Sequence, residues 1–475
     1  MMNIKSVRYG KRLQQNGRKA VSASAGSKGG KATKDWKHEG RRKRQKKSMM
    51  TDGKQQGSSV NTNSMAKVKA DETVLFDAVP GVSDALRVIY AYPNEYSVGI
   101  TSLGYQLVWA YLEMSELVSV SRMFTDVSDG ASFRMQRDAL DLVGFSLSWE
   151  LDYTNIVSML QGLEIPTFSS DRGDDFPIVF GGGPVLTANP EPFAAFFDVI
   201  LLGDGEEMLG DLVTTVYNVT RDGSGSHACR EEVLAALARL PGMYVPAFYE
   251  PVYDGGGKLV GMDVLNGAAP PFVEKQTYRG NALASSTVVS PRMAWDNIFM
   301  AEVVRSCPEM CRFCMASYLT LPFRPAELEG SLIPTIERGL EVTDRIGLLG
   351  ASVTQHPEFD KLLDWMMKPE REHVRMSIAS VRTNTVTPEL ASALSARGTN
   401  SLTIAVESGS ERVRRIVNKK LEQDDIQKAA VHAQAGGLKS LKLYGMVGVP
   451  GESDQGILFF LFSYFTGLQE ICTEI

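Results

Sequence analysis

Arg305-Ser-Cys-Pro-Glu-Met-Cys-Arg-Phe-Cys-Met315 sets three cysteines, Cys307, Cys311 and Cys314, in the spacing C-x3-C-x2-C, with the next cysteine far down the chain. Three soft thiolates packed this closely suit an iron–sulfur cluster. A cubane cluster has four irons, so three cysteines leave one iron without a protein ligand. An open metal position is where small-molecule chemistry happens. Structural zinc would want a fourth Cys or His near by. The histidines are His38, His227, His356, His373 and His432, and none lies within forty residues of the triad.

The chain around the triad has 475 residues, room for two or three domains. Apolar residues make up 43% and charged residues 22%, the balance of a globular protein. The longest apolar run, Ile457 to Leu468, is too short to span a bilayer and contains Ser463 and Thr466. Five cysteines, three of them clustered, are no disulfide framework, and thiolates need a reducing compartment. Charge is split unevenly. The first 70 residues hold 19 Lys and Arg against three acids, +16, which leaves −22 of the net −6 for the rest. An acidic body argues against nucleic acid as a partner. Residues 1–73, rich in Lys, Gly, Ser and Gln, read as a disordered tail. The tail admits three readings: an organellar transit peptide, a nuclear or nucleic-acid patch at Arg41-Arg-Lys-Arg-Gln-Lys-Lys47, or an extension without a role.

Residues 74–220 alternate short apolar strands with helices. Strands are expected at Leu86–Tyr92, Val118–Phe124, Leu142–Leu147, Ile178–Phe180 and Val199–Leu202, and helices at Leu103–Met114 and Tyr153–Gly162. That rhythm predicts a parallel, doubly wound sheet, with function at the carboxyl ends of its strands. Residues 221–296 read as a connector with a helix at Glu231–Leu240. Its hairpin is Tyr244–Tyr253 and Lys258–Val264 about Asp254-Gly-Gly-Gly257. Residues 297–475 repeat strand then helix. Strands are expected at Ile298–Val304, Gly347–Val353, Arg375–Ser380, Ser401–Val406 and Ser440–Val447. Helices follow at Ile333–Val342, Glu358–Met367, Pro388–Ala396, Asp424–Ala435 and Asp454–Phe465. Five such units predict a partial, C-terminally incomplete (β/α) barrel.

The triad, with an aromatic residue before its last cysteine, resembles the motif of the radical S-adenosylmethionine (SAM) enzymes. The likeness extends to Tyr92-Pro-Asn-Glu-Tyr-Ser-Val-Gly-Ile100, Gly181-Gly-Gly-Pro184, Asn189-Pro-Glu-Pro192, Gly203-Asp-Gly-Glu-Glu207 and Pro241-Gly-Met-Tyr-Val-Pro246. It continues through Gly350-Ala-Ser-Val-Thr-Gln-His-Pro357, Glu407-Ser-Gly-Ser410, Asn418-Lys-Lys420 and Leu443-Tyr-Gly-Met-Val-Gly-Val-Pro-Gly-Glu452. Together these resemble an uncharacterised bacterial and cyanobacterial radical SAM family with a cobalamin-binding-like N-terminal domain.

The resemblance implies a [4Fe–4S] cluster on Cys307, Cys311 and Cys314, SAM on its open iron, and cleavage to a 5′-deoxyadenosyl radical acting on an unknown substrate. It implies a reductase or ferredoxin-type electron donor. Gly350, Ala351 and Ser352 would face the SAM amino group, although the superfamily's frequent Gly-Gly-Glu is absent. Arg382, Glu407 and Ser408 would meet carboxylate or ribose, and Val447 and Gly448 would flank adenine. Arg382 could instead pair with an acid, Glu407 with Arg412 or Arg415, and His356 could face the cavity or start a helix. Cobalamin stays open. Residues 74–220 hold no histidine for cobalt, and Asp204, Glu206 and Glu207 would repel a phosphate-bearing tail. Two rival readings remain: a non-catalytic iron–sulfur protein with a degenerate barrel, and a nucleic-acid-binding protein using the basic tail. The cyanobacterial likeness favours a plastid; mitochondrion, cytoplasm and nucleus are the alternatives.

Overall fold

The computed structural model describes residues 63–129, 140–221, 229–379 and 381–454. The first helix, Asn63–Ala70, and the first strand, β1 (Thr73–Val74), correct the reading of a disordered tail for residues 63–73; residues 1–62 lie outside those described. Met65 and Val68 are buried in the core, and β1 pairs antiparallel with β10 (Val288–Val289). Glu72 receives both terminal nitrogens of Arg122 at 2.8 and 2.9 Å and the Tyr96 hydroxyl at 2.6 Å. Composition averaged over the tail hid a short amphipathic strap whose signal is three residues long.

The first sheet runs in the order β3 (Val118–Met123), β2 (Leu86–Ala91), β4 (Leu142–Ser146), β5 (Ile178–Gly182), β6 (Val199–Leu201), β7 (Met243–Tyr244). All neighbours are parallel except β6 and β7. Successive side chains of one strand enter different cores. Leu86, Val88 and Tyr90 pack with helices Leu103–Glu113, Leu209–Thr220 and Arg230–Ala238, whereas Ile89 and Ala91 pack with helix Tyr153–Gly162. Helices on both faces of a parallel sheet make the doubly wound layer that the rhythm predicts.

The segment expected to be a connector contributes to this sheet. Its helix, Arg230–Ala238, lies on the first core, and Met243–Tyr244 closes the sheet edge instead of starting the hairpin. The hairpin itself is β8 (Tyr249–Tyr253) with β9 (Leu259–Val264), largely exposed. The chain then returns past Gly203, held at φ +120°, where Gln276 and the sheet end exchange backbone hydrogen bonds. A Cβ there would sit 2.1 Å from the Gln276 carbonyl oxygen, so only glycine fits.

The second sheet has the order β12 (Arg324–Pro325), β11 (Phe299–Arg305), β13 (Arg345–Gly350), β14 (Arg375–Ile378), with β12 antiparallel. A separate parallel pair, β15 (Ser401–Glu407) and β16 (Ser440–Gly445), follows. Helices Ile333–Leu340, Phe359–Met366, Pro388–Ala396 and Gln423–Ala435 cover one shared core. No ladder joins β14 to β15 among the described residues, so the barrel is partial and open. The helix expected from Asp454 falls outside the described residues beyond 454. No helix among those described is long and apolar enough to cross a membrane.

Candidate functional site

β11 ends at Arg305, and Ser306 turns the chain at φ +71° into the cysteine loop. Cys311 is buried, and Cys307 and Cys314 are half-buried. The Cys314 N–H donates to the Cys311 carbonyl at 3.0 Å, and helix Met315–Leu319 follows. Ser317 donates its hydroxyl to the Cys314 sulfur at 3.4 Å. Burial pushes the Cys311 thiol up; Lys419 and Arg382 oppose that rise, and Cys307 and Cys314 add to it. The cations are what a set of thiolates in a buried site needs. Among the described residues no three His, Cys, Asp or Glu side chains converge as ligands of one ion. Three thiolates with no fourth Cys or His ligand beside them fit a cubane, in which each would hold a different iron.

Glu309, inside the loop, fixes it to the carboxyl ends of three strands. Its carboxylate receives Gln355 at 2.7 Å from beyond β13, Arg382 at 3.2 Å from beyond β14 and Lys420 at 3.7 Å from beyond β15. Asn418 donates to the Met310 carbonyl at 2.8 Å. Met310, Asn418 and Lys420 all have positive φ, a conformation that costs each about 1 kcal/mol and persists only under such constraint. Residues so far apart in sequence gave no local pattern; Gln355 and Arg382 lie within five residues of their strand ends, but Asn418 and Lys420 follow a whole helix after β15.

The remaining site residues fall as follows. Gly350 sits at φ +150°, and a Cβ there would meet the Val304 carbonyl oxygen at 2.6 Å, so the position requires glycine. Gly350 and Ala351 line the main cavity, whereas the Ser352 hydroxyl is buried and donates to Gln355. Arg382 is spent on Glu309 and on the Lys419 and Lys420 carbonyls, at 3.0 and 3.1 Å, which favours its reading as an ion-pair partner. Glu407, at φ +69°, pairs with Lys419 at 3.0 Å and not with Arg412 or Arg415. The Lys419 ammonium stands 5.9 Å from the centre of the Phe313 ring, between two of the cysteines. Arg414, buried, donates to the Ser408, Gly409 and Leu421 carbonyls and holds the Glu407–Gly409 turn. Met446 donates its N–H to the Glu407 carbonyl at 2.7 Å, so exposed Val447 and Gly448 start beside that turn. His356 starts a helix: its Nδ1 accepts from the Glu358 N–H at 3.0 Å, which leaves Nε2 to donate to the Ala326 carbonyl at 2.7 Å.

A cavity of about 560 Å³ lies between the two sheets. Tyr90, Ser146, Gly182 and Gly205 line it from the first sheet, and Arg305 and Ala316 from the second. At Gly104, Gly182 and Gly205 a Cβ would meet nothing closer than 3.6 Å, and their φ is ordinary. Neither packing nor backbone demands these glycines, so their smallness serves the space itself. Asp204 and Glu206 are not the free repulsive acids expected from sequence. Arg305 reaches Asp204 at 3.3 Å, Glu206 at 2.9 Å and Glu302 at 2.7 Å, and Arg324 reaches Asp204 at 2.7 Å.

Comparison with known proteins fits this layout. The family described as radical SAM proteins, N-terminal, matches residues 104–246, and the radical SAM superfamily matches residues 302–461. The chain carries both domains of the radical SAM proteins. The first match ends just beyond β7, in keeping with a sheet that takes in part of the supposed connector. An uncharacterised protein of Methanocaldococcus jannaschii is 26% identical over 376 residues, covering 78% of this chain and 71% of its own length. The chain also shares its fold with two solved proteins. OxsB, with aqua-cobalamin and SAM bound, is 15% identical at a TM-score of 0.52, covering 80% of this chain. The chain spans about half of OxsB, 51%. The methyltransferase TsrM from Kitasatospora setae is 14% identical at a TM-score of 0.51, covering 81% of this chain and 73% of its own.

Proposed function

We propose that this protein is a radical SAM enzyme that holds a [4Fe–4S] cluster on Cys307, Cys311 and Cys314. The observation that carries the reading is the cysteine loop, fixed by Glu309 to three strand ends with Lys419 and Arg382 set against its thiols. When bound, such a cluster supplies the electron that splits SAM into methionine and a 5′-deoxyadenosyl radical. The chain's part is to position and to exclude water. Gly350 and Ala351 offer backbone beside the loop, and the Glu407–Lys419 pair and Ser408 face carboxylate or ribose. Val447 and Gly448 are left for adenine. Anaerobic reconstitution should yield about four irons per chain and 5′-deoxyadenosine on adding SAM and dithionite. Iron below one per chain in repeated preparations would defeat the reading.

The cavity of about 560 Å³ supports a second cofactor, and cobalamin is the candidate because OxsB and TsrM hold it. Glycine walls leave the room, and pairing with Arg305 and Arg324 weakens the electrostatic objection. No histidine lies in residues 74–220, so cobalt would have no imidazole from that segment. Cobalt retained after incubation with hydroxocobalamin, and lost in Gly182→Leu with iron content unchanged, is the expected result. For location we propose a plastid, supported by the +16 charge of the first 70 residues on an acidic body. Residues 1–62 fused to a fluorescent protein should concentrate there; diffuse or nuclear fluorescence refutes it.

A further inference from the structure

The ten residues Glu411–Lys420 carry five cations against one acid, on a body whose net charge beyond residue 70 is −22. The structure sorts these cations by depth. Arg414 and Lys419 turn inward, to carbonyls and to Glu407. Arg412, Arg415 and Lys420 stay exposed, and so does Arg312 of the cysteine loop. Arg312 lies beside them, its N–H donating to the Val417 carbonyl at 2.9 Å and its guanidinium to the Ile416 carbonyl. Of the nearby acids, Glu411 is taken up by Arg415, and Glu309 lies beneath Lys420, 14% exposed. Two large side chains beside the third cysteine are open to solvent, Met315 at 57% and Tyr318 at 43%. The Tyr318 hydroxyl donates to the Met310 carbonyl at 3.0 Å, which also receives Asn418. Cations and apolar side chains thus share one surface, and its floor is the loop of Cys307, Cys311 and Cys314.

We infer that this surface docks a small acidic electron-carrier protein of the ferredoxin type. The inference rests on the triad holding a cluster. One electron leaves the reduced carrier, which is oxidised by one equivalent, and enters the cluster, which is reduced by one; no atom changes hands. An acidic carrier is repelled by most of this body, so an attractive patch steers it to one place. Apolar side chains inside a charged rim are the composition of a docking centre. Met315 is bonded to Cys314, so the contact brings the carrier next to the electron's destination.

The test uses the full chain, reconstituted anaerobically, with an acidic [2Fe–2S] ferredoxin as probe. Affinity is measured directly at low and high salt, and SAM cleavage is driven in parallel by reduced ferredoxin and by dithionite. Arg412→Glu/Arg415→Glu should weaken ferredoxin binding by about tenfold, with a flatter salt dependence. Ferredoxin-driven cleavage should fall with it while dithionite-driven cleavage holds. Met315→Ser should weaken binding without changing the salt dependence, and Lys361→Glu, exposed on helix Phe359–Met366 and outside the patch, should change nothing. The basic first 70 residues are the same in every variant, so differences report the patch. Unchanged ferredoxin affinity in both patch variants, or equal losses with dithionite, would overturn the inference. A wild-type protein that fails to cleave SAM with dithionite would bring down the cluster reading, and this one with it.

Discussion

The two sheets of this chain spend their conformational freedom differently. In the first, every residue of β4 and β6 is buried, and the strands feed two cores. In the second, the strands are interrupted, the barrel is open, and the work is done past the strand ends. Seven non-glycine residues have positive φ among those described, and five of them are Ser306, Met310, Glu407, Asn418 and Lys420. Strain gathered at one place marks where geometry has been put ahead of stability. The first sheet is a platform; the second sheet's loops are a fixture.

That contrast can be broken by substitution. Cys311→Ala, in the fixture, should abolish cluster loading and 5′-deoxyadenosine formation, read by iron content and product assay, while thermal unfolding barely moves. Glu72→Ala, in the platform, should do the reverse. Burial works against the Arg122 charge and Glu72 more than restores it, so removal strands a buried cation at a cost of about 3 kcal/mol in denaturant unfolding. Gly144→Ala would drive a methyl to within 2.1 Å of the Phe180 ring, and should cost about 2 kcal/mol by the same measurement. Glu309→Ala should lower cluster retention about tenfold, seen as iron lost on gel filtration, with only a small change in unfolding. Gly182→Ala, facing the cavity, should stay within about 0.5 kcal/mol of the parent. If Glu309→Ala proved as destabilising as Glu72→Ala, the division between platform and fixture would fail.

Elements governed by local periodicity were readable in the sequence. Helices Tyr153–Gly162 and Pro388–Ala396 begin and end where expected, and the order of strands fits a doubly wound layer before a partial barrel. Elements settled by distant partners were not. Glu407 had Arg412 and Arg415 as its alternative partners in the sequence. The left-handed turns at Glu407, Asn418 and Lys420 instead fold the chain back so that Lys419 reaches it. Tyr244 reads as the start of a hairpin strand until the open edge of β6 is known to need covering. Asp204 and Glu206 read as bare acids because Arg305 and Arg324, which pair with them, lie about a hundred residues later.

The strap of residues 63–74 sets a limit on how the front of the chain can be trimmed. A peptidase removing the basic segment must act before Asn63, because a cut after Ala70 withdraws Met65 and Val68 from the core. A cut after Glu72 would also leave the buried Arg122 guanidinium, against the Trp109 ring, with Asp129 at 3.8 Å as its remaining carboxylate. The same boundary serves anyone designing an expression clone: starting at residue 60 keeps the strap, and starting at residue 74 would be expected to yield insoluble protein.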